Sequence, residues 1–191
     1  MNSTTNLALP TLSFVTGVSQ WDVLLRNLAR SPCLQNGHLK WSAVCNAKSA
    51  ADAFNPALIA AEQVLRDSGD HQTQADHWLV WVHQDVFWPA GWVFQFANAL
   101  QSASAIWPTL AVAGVYGVTG FGAQIVRSGH VLDRGKLLKE PTPLPCLTNS
   151  LDALLVAVKV GRSIRFSTRR RTSPCCSSMR WLASMTTKLN S

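Results

Sequence analysis

Between residues 79 and 92 the chain reads LVWVHQDVFWPAGW. Four apolar residues run directly into His83, Gln84 and Asp85, and apolar character then returns. An ionised carboxylate buried without a partner is strongly unfavourable, so Asp85 either emerges at the end of a strand or meets a cation there. Its hard oxygens are the donors that Mg2+ and Mn2+ take, and a cation held there can neutralise a diphosphate. The same spacing also allows Asp85 to cap the turn before Pro89. His83 has a hydrogen-bonded packing alternative, because no second histidine stands at a zinc spacing.

Two further polar residues stand next to apolar segments. Asn46 follows the segment LKWSAVC, and Asp152, the last acid in the chain, adjoins the apolar run LLVAVKV. A lone carboxylate there can cap, pair or do chemistry. Nothing in the chain has the pattern of a G-x-S-x-G nucleophile, a Cys/His nucleophile or a close carboxylate pair. The glycines at 114, 117, 120 and 122 lack the strand–helix context of a phosphate loop, and read as a turn or a mobile loop over a site.

Strands and helices alternate around these positions. Residues 12–18 (LSFVTGV), 39–44, 78–82, 110–115 and 151–160 read as strands. Residues 21–29, 49–65 and 91–102 carry helical spacing, with Ser19 as a cap for the first and Pro56 at a turn or at the start of a further helix. Residues 116–122, with three glycines, read as a loop. The alternation predicts an α/β domain of layers around a mainly parallel sheet, and in such sheets ligands collect at the carboxyl ends of the strands. Asn46 and the His83–Gln84–Asp85 group fall at such ends.

The bulk properties agree with one folded domain. Of 191 residues 47% are hydrophobic and 14% charged, which excludes global disorder. Seven of the eight tryptophans precede residue 110, where the core is expected. The five cysteines include no C-x-x-C pair and read as reduced thiols of a cytoplasmic protein. The first residues lack the basic start and long apolar run of a secretory signal, and no apolar run reaches the ~18 residues of a membrane span.

The formal charge of +7 is unevenly placed. Residues 1–158 hold nine Lys/Arg against ten Asp/Glu, whereas residues 159–191 hold eight and no acid. The division is therefore a domain over 1–166 and a basic, irregular tail over 167–191. That tail reads as a flexible arm or as sequence out of its native frame.

Taken together these segments resemble bacterial glycosyltransferase-like proteins of the family 2 type. The stretch LVWVHQDVFWPAGW is similar to that group's apolar strand, H-Q-D-V and Pro-x-Gly-Trp signature, which stands where many relatives carry Asp-x-Asp. LLRNLARSP, VCNAKSAADAFNPAL, VAGVYG and LTNSLDALLVAVKV follow in the family's order, and the resemblance spans about residues 10–166. It implies a GT-A fold, a three-layer Rossmann-like domain. It also implies a nucleotide-sugar donor held by Asn46, Ser49, His83, Gln84 and Asp85, and Mn2+ or Mg2+ on Asp85. A hydroxyl acceptor would be activated by a base, for which Asp152 is the candidate. The family's acceptor-side acids belong after the strand ending near Phe166, where this chain has none, so binding without turnover is a possible outcome. The alternative function is a non-catalytic module whose Arg169, Arg170 and Arg171 contact nucleic acid or an anionic surface; nucleic acid is the less expected partner.

Overall fold

The computed structural model describes residues 9–35, 37, 39–69, 76–120, 122–133, 135–167 and 181–183. Its strands are β1 (Thr11–Val18), β2 (Lys40–Cys45), β3 (His77–Val82), β4 (Val112–Gly114), β5 (Tyr116–Thr119) and β6 (Val126–Asp133). They continue with β7 (Lys136–Lys139), β8 (Cys146–Thr148), β9 (Ser150–Leu151), β10 (Leu155–Lys159) and β11 (Trp181–Ala183). The helices are α1 (Trp21–Arg26), α2 (Pro32–Gln35), α3 (Ala50–Ser68) and α4 (Trp92–Ile106).

Seven strands form the central sheet in the order β2-β1-β3-β10-β4-β11-β8. The expected parallel arrangement holds for β2, β1 and β3, with Val15 of β1 between Ser42 and Trp81. The other half is mixed. β10 runs antiparallel to both β3 and β4, β11 parallel to β4, and β8 antiparallel to β11. The domain is thus α/β around a mixed sheet.

Side chains alternate across this sheet and feed two cores. Phe14, Val18, Trp78, Val80 and Val82 pack on one face with Trp92, Phe96 and Leu100 of α4 and Leu24 of α1. Val15, Leu79, Trp81, Val156 and Val158 pack on the other with Ala53, Phe54 and Leu58 of α3. Being covered on both faces makes β3 apolar at every position from Trp78 to Val82, the pattern its sequence displays.

Pro56 lies inside one continuous α3 rather than at a turn or a new helix start. Phe54 and Leu58 on either side are 0% and 1% exposed, and their burial outweighs the missing amide hydrogen bond. Ser49 caps this helix by accepting from the Asp52 N–H (3.2 Å), and Gly69, at φ 63°, ends it. Ser19 does not cap α1; the N-cap is Gln20, without a side-chain hydrogen bond. That helix stops at Arg26 and passes into a 3-10 turn at Leu28–Arg30, shorter than the expected 21–29.

Within the loop expected over 116–122, Tyr116–Thr119 is instead β5, in a second sheet ordered β7-β6-β5-β9, and Gly122 opens a 3-10 turn over Gly122–Gln124. Its one glycine serves close approach in β5: a Cβ on Gly117 would stand 2.6 Å from the Ser150 carbonyl oxygen. The strand expected over 151–160 is broken at Asp152, whose carboxylate accepts from the Leu154 N–H (2.9 Å). Ser150–Leu151 joins the small sheet and Leu155–Lys159 the large one.

Residues 160–167 close over α3. Asn55 Nδ2 donates to the Phe166 carbonyl (3.0 Å), and the Phe166 N–H donates to Asn55 Oδ1 (2.9 Å). The Phe166 ring stacks on Phe54 at 4.1 Å. Arg165 pairs both nitrogens with the carboxylate of Glu62 (3.0 and 2.6 Å). Beyond this clamp, Trp181–Ala183 enters the central sheet as β11, so these three residues of the basic segment are not irregular. Arg169, Arg170 and Arg171 lie outside the described residues. Among the described residues no helix is long and apolar enough to cross a membrane. The clamp should carry measurable stability. We expect Asn55→Ala to cost about 1–2 kcal/mol and Phe166→Ala about 2 kcal/mol. The double variant should lose less than the sum in urea unfolding, because the Asn55 hydrogen bonds to the Phe166 backbone also hold the Phe166 ring on Phe54.

Candidate functional site

Strands β1, β2 and β3 are parallel, so their carboxyl ends at Val18, Cys45 and Val82 share one edge of the domain. Asn46 leaves that edge exposed, with a left-handed φ of 58° and its N–H on the Val18 carbonyl (3.2 Å). Ser49 lies just beyond, with its oxygen engaged at the start of α3.

The three polar residues after β3 have three different fates. Gln84 turns inward and is 6% exposed. Its Oε1 accepts from the Ser19 and Gln20 N–H groups (3.1 and 3.2 Å), and its Nε2 donates to Ser19 Oγ (2.8 Å). It therefore ties the end of β1 to the end of β3. His83 donates its N–H to the Leu154 carbonyl (3.0 Å) and pairs its Nδ1 with Asp85 Oδ1. The Asp85 side chain is 52% exposed and opens into a cleft. The turn closes with Val86 N–H on the His83 carbonyl (3.2 Å).

The cleft has a volume of about 690 Å3. One wall comes from the segment after β3 and from α4, where Trp88 stacks on Trp92 at 4.9 Å and Trp92 on Phe96 at 5.0 Å. The Trp88 N–H is held by the hydroxyl of buried Ser31 (2.9 Å), which fixes this wall against the chain after α1. The facing wall is the β6–β7 hairpin, with His130, Leu132, Asp133 and Leu138. Asp152 lines the same cleft as Asp85. The link between their two loops is direct, through the His83 N–H to Leu154 and the Trp81 indole N–H to the Ala153 carbonyl (2.9 Å).

Asp85 and Asp152, 67 positions apart in sequence, are thus brought to one cavity. Asn46, Ser49, His83 and Gln84 do not line it; His83 and Gln84 act from behind its rim. Tyr116, His130, Asp133 and Phe87 line the cleft without having been singled out by sequence. Phe87 directly follows the H-Q-D-V block. The others sit on β5 and β6, a hairpin whose alternation is too weak to announce itself.

Tyr116, on β5, ties the residue that follows β7 to the residue that follows β9. Its hydroxyl donates to Glu140 Oε1, and its carbonyl accepts from the Asp152 N–H (2.9 Å). Burial, then the hydrogen bond to Glu140 and that residue's charge, push its phenol up to about 12.

Among the described residues, no three His, Cys, Asp or Glu side chains form a metal-holding group. An all-protein metal cage is therefore not what these residues build. One half-exposed carboxylate with a second in the same cavity does fit a hard cation. Mg2+ commonly takes one or two carboxylates and completes its shell with water and substrate phosphates. No protein-family model matches the chain, and no curated protein does.

Two outcomes follow from this geometry. Replacing Gln84 by Leu strands the Ser19 and Gln20 N–H groups and should lower stability by about 2–3 kcal/mol in urea unfolding. Tyr116 is the single tyrosine, so ultraviolet titration reads it alone. The phenol should ionise near pH 12, and Glu140→Gln should lower that value while burial keeps it above the usual tyrosine range. The linked stability is present below the unfolded phenol's value near 10 and is lost as pH rises towards about 12.

Proposed function

We propose that the chain is a glycosyltransferase-like domain of GT-A type. It would bind a nucleotide-sugar across the carboxyl ends of β1, β2 and β3 and expose the sugar to an acceptor hydroxyl in the cleft. The observation that carries this reading is the position of Asp85, a half-exposed carboxylate beyond a strand buried from Trp78 to Val82, facing a cavity that Asp152 shares.

In this reading each residue has a task set by its surroundings. Asp85 would hold Mn2+ or Mg2+, with His83 fixing the orientation of its carboxylate. When bound, such a cation would supply neutralising charge for the diphosphate and Lewis-acid assistance to the departing group. Gln84 keeps the Ser19–Gln20 backbone in place where the nucleotide crosses β1. Asn46 offers an exposed amide at the end of β2. Ser49 contributes through the start of α3, since its oxygen already caps that helix.

Asp152 is the base. The acceptor oxygen bonds to the anomeric carbon, the bond from that carbon to the diphosphate oxygen breaks, and the acceptor proton passes to the Asp152 carboxylate. The Leu154 N–H on Oδ1 fixes the orientation of this carboxylate. No acid follows Asp152 in the chain, so binding is a more direct readout than turnover.

Calorimetry of the full chain with Mn2+ and uridine, guanosine, adenosine and thymidine diphosphates tests this reading. At least one should bind only when Mn2+ is present, and chelation should remove the heat. Asp85→Asn should weaken it by about tenfold or more, which is about 1.4 kcal/mol. Absence of heat with all four in the presence of Mn2+ would overturn the proposal.

A further inference from the structure

Strand β6 changes partners halfway along its length. Over Val126–Gly129 it pairs with Tyr116–Thr119 of β5, and over His130–Asp133 with Lys136–Lys139 of β7. The handover falls at Gly129, whose φ is 123°. A Cβ there would meet the Val115 carbonyl oxygen and stand 2.8 Å from the Tyr116 Cα. Glycine alone fits where β6 presses on the start of β5, so the strand is pinned at the residue where it changes partners.

The two halves differ in support. The inner half lies in a ladder of three strands, β6, β5 and β9. The outer half has β7 beside it, and β7 is the edge of its sheet among the described strands. A two-stranded ladder by itself is marginal in water. Val131 packs against the central core, while Leu132 and Leu137, directly opposite in register, are 61% and 54% exposed. Polar ties join this half to the domain at its base: the Glu140 N–H donates to the Gly129 carbonyl (3.3 Å), and the Tyr116 hydroxyl donates to Glu140.

The outer half is also the part that lines the cleft, through His130, Val131 and Leu138 among others, whereas Val126–Gly129 do not line it. Val131 and Leu138 are opposite each other in register, and Phe87 stands half-exposed in the facing wall. Bringing these walls together narrows the cleft and takes apolar surface of both out of water.

We propose that His130–Asp133 with Lys136–Lys139 is a gate. It moves as a unit about Gly129, opens to admit a ligand and closes on a bound one, carrying Val131 and Leu138 towards Phe87. The motion rests on the sheet alone, and the identity of the closing ligand as a nucleotide-sugar or its diphosphate rests on the transferase reading. In that reading closure excludes water from the donor sugar, which leaves the acceptor hydroxyl as the attacking group.

Hydrogen exchange of the full chain, read by mass spectrometry, separates the two halves. In the free protein the amides of residues 130–133 and 136–139 should exchange together. They should do so at least about tenfold faster than those of 116–119 and 126–129, with the break at Gly129. Mn2+ with a diphosphate that binds in calorimetry should slow the outer amides about tenfold and leave the inner ones as they were. Paired spin labels report the movement itself, in a variant with the five cysteines replaced by serine and an unchanged melting temperature. Labels at Leu137→Cys and Phe94→Cys should give two distance populations, and labels at Val126→Cys and Phe94→Cys one; all three positions are exposed.

One uniform exchange rate along β6 would overturn the gate. So would a Leu137–Phe94 distance as narrow as the Val126–Phe94 one, or a diphosphate that binds without slowing the outer amides. Failure of every diphosphate to bind would refute the transferase reading instead, and the free protein's exchange and distances would still decide the gate.

Discussion

Strand β3 is covered on both faces, and the polar residues that follow it can exist only where that cover ends. Five consecutive buried residues, Trp78 to Val82, commit the strand to the centre of the sheet. At its end the chain must satisfy an amide, an imidazole and a carboxylate within three residues. It does so by sending Gln84 inward to the backbone of Ser19 and Gln20 and leaving Asp85 half in water, with His83 against it. The cleft, its chemistry and the joining of β1 to β3 all descend from that division.

The two cores make the division rigid. Alternate residues of β1, β3 and β10 face opposite ways, so the helices on each side hold the same strands from both directions. On the α4 side, the series Phe14, Trp88, Trp92 and Phe96 carries the packing from the sheet to the cleft wall without a polar interruption. On the α3 side, Phe166 and Arg165 bind the chain leaving β10 back onto the helix. A site built on such supports keeps its geometry better than one carried by loops alone.

The facing wall is of another kind. It belongs to a four-stranded sheet with little core of its own, whose exposed Leu132 and Leu137 leave apolar surface in water. Tyr116 connects it to the rest, through Glu140 on one side and the Asp152 amide on the other. One wall is thus set by deep packing and the other by a few polar contacts. Between them lie three carboxylates and an aromatic ring.

Much of the central architecture was legible in the residues themselves. Continuous apolar runs announced β1 and β3, helical spacing announced α3 and α4, and the polar break at 83–85 announced the edge of the core. These signals are local, because burial on both faces or on one stripe is written into successive side chains. Asp85 as an exposed carboxylate beside a cavity belonged to the same class of inference. The second sheet was not legible. Gly117 of β5, which read as part of a loop, is there because strands approach closely, a distance set by Ser150 and Thr148 rather than by neighbours in sequence. The break at Asp152 was hidden for the same reason: an apolar run does not state which of two sheets each half will join. Nor could residue order alone say that Ser49 and Gln84 would spend their polar atoms on the backbone, or that Asp152 would face the cleft of Asp85. Those outcomes depend on which segments meet, and only the folded chain chooses between partners that are equally compatible with the local sequence.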